Sequence, residues 1–186
     1  MKVVITGGPF SGKTSLVNCF HEEGFQIVPE AAISVIEHLM LADGKEGFLT
    51  WKKLNFLAFQ KMILKQQLIF EHQLDPGKLT ILDRGTVDSI AYLKHEGIKP
   101  PESVLADALS QNYDLVILCD TLKNFDSRET TGRTESYDES IQLHHSINNT
   151  YLEFGYKPFH LAVNSLVDRM NCIHQLILAK LNTHTD

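Results

Sequence analysis

Apolar residues fall in short continuous runs along this chain, separated by stretches in which they recur at helical spacing. The runs Met1 to Thr6, Phe25 to Val28, Leu79 to Leu82, Tyr113 to Cys119 and Lys157 to Val163 read as five strands. Runs that are apolar throughout, rather than alternating, suit strands covered on both faces. Between them the spacing predicts a first helix to about Glu22, stopped by Gly24, and a second over Ala31 to Leu41. Ala42 to Gly47 reads as a loop. A long helix then runs from Phe48–Trp51 to about Leu74, carrying Leu54, Leu57, Ala58, Met62, Ile63, Leu68 and Ile69 on helical spacing, and Asp75-Pro76-Gly77 ends it. Thr86 is placed to cap a further helix. Others end near Ser110, span Glu139 to Phe154 and span Ser165 to Leu181. Alternating strand and helix signals predict one α/β domain over residues 1–186, a parallel sheet with helices on both faces.

The first junction carries the strongest chemical signal. Gly7-Gly8-Pro9-Phe10-Ser11-Gly12-Lys13-Thr14 directly follows the first strand and has the phosphate-loop spacing of Gly, four residues, Gly, Lys and Ser or Thr. Glycines at both ends let the backbone turn so that a row of amide N–H groups cups an anion, and the helix opening at Thr14-Ser15 adds its positive end. Lys13 would neutralise the outer phosphates of a nucleoside triphosphate and the Thr14 hydroxyl would hold Mg²⁺. ATP or GTP with Mg²⁺ is therefore the expected ligand.

The third strand carries a second signal, because it ends in Asp83-Arg84-Gly85. A buried strand ending in Asp downstream of a phosphate loop is the Walker B arrangement, whose carboxylate holds Mg²⁺ directly or through water. Arg84 then lies near phosphate or beside Glu30, although Asp83 and Arg84 as a purely structural pair is the competing reading. Glu30 follows the second strand, at the sheet edge where ligands bind in open parallel sheets. There it either takes a proton from an attacking hydroxyl or simply favours the N-terminus of the next helix. Asp88 is read as a dipole-favouring residue in the first turn after Arg84. Phe48, Trp51, Phe56 and Phe59 are either core or a wall for a flat substrate.

The stretch 121–137 breaks the pattern. From Asp126 to Ser136 it has no aliphatic side chain, so it is either a solvated loop or a lid that brings Arg128 and Arg133 to a transferring phosphoryl group.

Charge and composition narrow the partners. A net charge of −6 without any basic run argues against nucleic acid. The N-terminus opens straight into a strand, and no apolar stretch reaches membrane-span length, so a soluble cytoplasmic protein is expected. Peripheral contact with a membrane surface stays open. Cys19, Cys119 and Cys172 are spaced as isolated buried thiols. The nine histidines lack zinc-like spacing, and neighbouring His144 and His145 would point to different faces of a helix; exposed or capping roles are expected.

Taken together these residues resemble a family of small P-loop domains that includes the nicotinamide riboside kinase domain of a bacterial NAD regulator and a fly protein implicated in photoreceptor-channel translocation. The likeness runs through Ile5-Thr-Gly-Gly-Pro9, Ser11-Gly-Lys-Thr14, Val28-Pro-Glu-Ala-Ala32, Phe59-Gln60, Leu82-Asp-Arg-Gly85 with Asp88 and Ala91-Tyr92, Gly132-Arg-Thr-Glu135, and Tyr151 to Tyr156. The chain is also similar to the deoxynucleoside kinases, which implies a three-layer fold with strand order 2-3-1-4-5 and a lid. That resemblance implies Glu30 as base, Gln60 as a substrate contact, Arg84 after the Walker B strand and Arg133 in the lid; Trp51 joins them as a candidate substrate contact. It implies a phosphotransferase acting on a small hydroxylated metabolite such as a nucleoside. The alternative is a slow ATPase or GTPase serving as a nucleotide-controlled binding module for a protein or phospholipid.

Overall fold

The computed structural model describes residues 1–122 and 136–182. In chain order the elements are β1 (Lys2–Thr6), α1 (Lys13–Glu22), β2 (Gln26–Val28), α2 (Ala31–Leu54), α3 (Phe56–His72), β3 (Thr80–Asp83), α4 (Thr86–His95), α5 (Glu102–Ala108), β4 (Leu115–Cys119), α6 (Tyr137–Glu153), β5 (Phe159–Leu161) and α7 (Leu166–Asn182). The five strands form one parallel sheet in the order β2-β3-β1-β4-β5, as the resemblance implied.

Alternate residues of the central strands supply two cores. Val3 and Ile5 point to one face, where Leu16, Val17 and Phe20 of α1 and Met170, Ile173 and Ile177 of α7 cover them. Val4, Leu82, Val116 and Leu118 point to the other and meet Val87 and Ala91 of α4 and Leu143, Ile147 and Tyr151 of α6. Burial on both faces is the physical reason these strands read as unbroken apolar runs. Two further clusters join α3 to α4 and α5, and α2 to α3.

Three expectations need correction. Residues 42–47 are helical apart from a break at Gly44 (φ 70°, ψ 174°), so two helical stretches meet at a kink there, together forming α2 to Leu54, in place of the expected loop. Ala42, Asp43, Lys45 and Glu46 have no intrinsic reason to leave a helix, and one glycine supplies the bend. The long helix predicted from Phe48 is divided at Asn55 (φ −128°, ψ 38°), whose amide nitrogen and Nδ2 both donate to the Trp51 carbonyl. A short polar side chain competing for a backbone acceptor is what ends the helix there. Thr86 does not cap α4: Gly85 is the cap residue, and the Thr86 hydroxyl donates to the Ala108 carbonyl.

Candidate active site

The sheet order places the ends of β1, β3 and β2 side by side, and the candidate residues gather at that edge. The loop after β1 is tightly held. Gly7 (φ 140°) and Gly12 (φ 72°) take backbone conformations that favour glycine, and Phe10 between them is also left-handed (φ 56°). A Cβ on Gly7 would meet the Cys119 carbonyl oxygen at 2.4 Å, and one on Gly8 the Ser140 carbonyl oxygen at 2.4 Å. The loop is thus wedged between β4 and α6. Ser11 Oγ donates to the Gly8 carbonyl (2.9 Å), and the buried Lys13 ammonium donates to the Gly8 carbonyl (2.7 Å) and to Ser11 Oγ (3.0 Å). Pro9 is buried within the same turn, while Thr14 and Ser15 are exposed at the start of α1.

Thr14 Oγ1 donates to Asp83 Oδ2 at 2.7 Å, joining the two residues expected to hold Mg²⁺. Asp83 Oδ1 is buried with no hydrogen-bond partner among the described residues. Burial, and after it the nearby Glu30 carboxylate, push the Asp83 carboxyl above its usual range against the pull of Lys13, Arg84 and Thr14. A hard oxygen pair carrying an unmatched buried acceptor fits Mg²⁺.

Arg84 is the hub of the site. It adopts φ 76°, uncommon for a non-glycine residue, and its side chain is buried. Its Nε donates to Glu30 Oε1 at 3.0 Å, and its Nη1 to Asp88 Oδ1 at 3.0 Å and to the Gly7 carbonyl at 3.1 Å. Nη2 is buried without a partner among the described residues. The guanidinium also lies 5.4 Å from the centre of the Tyr92 ring. Burial opposes its charge, but Tyr92, Glu30, Asp88 and Asp83 outweigh that and raise its pKa. Glu30 sits at the cap position of α2, yet its side chain makes no capping bond and turns to Arg84 instead.

Asp88 does more than favour a helix dipole. Its buried carboxylate accepts from Thr6 Oγ1 (2.6 Å), Arg84 Nη1 (3.0 Å), Tyr151 OH (2.7 Å) and the Gly85 amide (3.1 Å). It therefore clamps β1, α4 and α6 around Arg84. Asp88 lies only four residues after Arg84, but Arg84 precedes α4 with left-handed backbone, so helical periodicity did not pair them. Arg169 is a second residue the pattern did not single out. It is buried on α7 and donates from Nη2 to the Ser11 carbonyl at 2.9 Å, reaching the phosphate loop from 158 residues away. An arginine on the buried stripe of α7, beside Met170 and Ile173, is the trace it leaves in the sequence.

Beyond the Glu30–Arg84 pair opens a cavity of about 460 Å³. Phe56, Phe59 and Tyr92 supply aromatic wall, Gln60, Gln67, Ser89 and His95 supply polar groups, and Lys52 and Lys53 line it from α2. Gln60 is where the resemblance implied. Trp51 is not: it packs against the cluster of Val35, Phe48 and Phe59, outside the cavity wall, because Asn55 turns the chain one helical turn later. Phe48 is core. Arg128 and Arg133 lie outside the described residues, as does most of the stretch read as a lid. No helix among the described residues is long and apolar enough to cross a membrane.

This architecture is shared with solved nucleoside and nucleotide kinases. Deoxyadenosine kinase from M. mycoides, solved with bound dATP, superposes with a TM-score of 0.63 at 17% identity over 98% of this chain and 99% of that one. Thymidylate kinase from Ehrlichia chaffeensis gives 0.62 at 14% identity, over 95% and 98%. NadR protein in complex with NAD and AMP-PNP gives 0.67 at 15% identity, with 94% of this chain matched to 48% of that one. At such identities the likeness establishes the fold. No curated protein matches the sequence. The family model described as AAA domain matches residues 2–169, and the chain belongs to that family.

Proposed function

We propose that this chain is a Mg²⁺-dependent phosphotransferase that passes the γ-phosphoryl group of ATP to a hydroxyl of a small metabolite, with a nucleoside as the leading acceptor class. The observation that carries it is the cavity of about 460 Å³ with Glu30, Gln60 and Arg84 in its wall, Arg84 also donating to the Gly7 carbonyl of the phosphate loop. A half-open cleft of that size suits a small molecule, and its mixture of aromatic faces with a few amides suits a flat ring.

In this reading the loop amides and Lys13 bind the triphosphate, while Thr14 and Asp83 are the residues that would hold Mg²⁺. The ion supplies charge neutralisation across the phosphate oxygens when bound. Glu30 takes the proton from the acceptor hydroxyl, oriented by its 3.0 Å bond from Arg84 Nε. Arg84 Nη2, the donor left over, is the group available to a phosphoryl oxygen. Asp88, Tyr151 and Arg169 are positioning residues that hold Arg84 and the loop. Arg128 and Arg133 are proposed to stabilise the transferring group.

Glu30→Gln tests the assignment. Acceptor phosphorylation should fall by about 10²–10⁴-fold, the usual contribution of a general base, with nucleotide affinity retained. Loss of nucleotide binding in that variant would make Glu30 structural.

A further inference from the structure

We propose a second metal site, for a first-row transition ion of the Zn²⁺ class, formed by Asp120, His144 and His160. Each residue comes from a different element: Asp120 directly follows β4, His144 lies on α6 and His160 on β5. One ligand atom from each lies within 4.8 Å of the other two. His144 Nε2 stands 3.8 Å from Asp120 Oδ1, and the His144 and His160 rings are 6.1 Å apart between centres.

The fold brings them together for identifiable reasons. His160 pairs in register with Leu118, whose side chain points to the α6 face, so His160 points there as well. The Asp120 amide donates to the Leu161 carbonyl (3.1 Å), which holds its side chain at the end of the same strand pair. His144 follows Leu143 on the inward face of α6. It is buried, where an exposed or capping role was expected, and its Nδ1 has no hydrogen-bond partner among the described residues. The spacing rules missed the cluster because its members are separated by 16 to 40 residues and meet only through the sheet.

The chemistry selects the ion. Two imidazoles and one carboxylate suit Zn²⁺, Fe²⁺ or Co²⁺ far better than Mg²⁺ or Ca²⁺, which favour all-oxygen shells. Three protein ligands with an open side toward solvent leave a fourth position for water. Tetrahedral bonds of about 2.0–2.2 Å bring ligand atoms roughly 3.4 Å apart. The exposed His160 and the half-exposed Asp120 have the freedom to close that distance. The site is separate from the Thr14–Asp83 pair. It ties together the two segments whose carbonyls, at Cys119 and Ser140, press on Gly7 and Gly8 of the phosphate loop.

The test is calorimetric titration of Zn²⁺ into the whole nucleotide-free chain in excess Mg²⁺, with Co²⁺ absorption as the report on geometry. The expected result is one saturable ion per chain, a tetrahedral Co²⁺ spectrum and a rise in Tm on Zn²⁺ addition. His160→Ala and Asp120→Asn should each weaken binding by about tenfold or more and remove the Tm rise, while Asp83→Asn should leave stoichiometry unchanged. His160 is exposed, so its truncation spares the core. No saturable binding, or binding that neither variant weakens, overturns the proposal.

Discussion

Asp83, proposed to hold Mg²⁺, carries a cost in stability. Its carboxyl is raised by burial and by Glu30, so between the ordinary carboxylate range and the raised value the native chain holds more protons than the unfolded one. Stability therefore falls as pH rises through that window, and the penalty is complete only above the raised value. Asp83→Asn removes it: without Mg²⁺ and nucleotide, at neutral pH, the variant should melt at a higher Tm than the parent, and the gain should vanish once the pH is taken below the carboxylate range. The same variant should lose Mg²⁺-dependent nucleotide binding, a trade between stability and activity typical of strained sites. A Tm unchanged or lowered at neutral pH would contradict the assigned cause. Lys13, Thr14 and Asp83 stand out in the chain as candidates because their motifs have recognisable local patterns, and the structure brings Thr14 and Asp83 within a hydrogen bond of each other. Asp88 and Arg169 were missed or undervalued because what defines them is a partner 82 or 158 residues away, Thr6 for one and Ser11 for the other.

At the scale of elements, the decisive fit is between the phosphate loop and its neighbours. Gly8 occupies a position the motif leaves unspecified, yet it faces the Ser140 backbone, an atom that cannot swing aside. Gly8→Ala should destabilise the fold by about 1–3 kcal/mol, as overpacking does, and should weaken nucleotide binding because α6 or the loop must shift. Denaturant melts with a nucleotide titration read both; a neutral effect on each would mean that α6 is not seated as described. Strand and helix identities were legible, since buried parallel strands and amphipathic helices have distinct periods. Boundaries inside the helical region were less so. Six polar and small residues around Gly44 look like a loop but need only one glycine to bend, and Asn55 ends a helix through a hydrogen bond that no periodicity records.

Across the whole molecule, strand order does the assembling. Placing β3 between β2 and β1 sets Glu30, the Asp83–Arg84 pair and the phosphate loop at one edge, with α2, α3 and α4 walling a cavity beside them. The sequence carried the ends of these strands but not the cavity, whose walls come from residues up to 113 positions apart, Glu30 to Leu143. Trp51 missed that wall while Gln60 joined it. The central claim is that the cavity holds a phosphoryl acceptor. Its most direct test is Mg²⁺-dependent release of ADP or GDP, from ATP or GTP supplied separately, across a panel of nucleosides, nicotinamide riboside and other small alcohols, with Lys13→Ala alongside. One acceptor class should raise release well above the rate with water alone and yield a phosphorylated product, and Lys13→Ala should lose both. Nucleotide binding with slow turnover that no acceptor alters would contradict it.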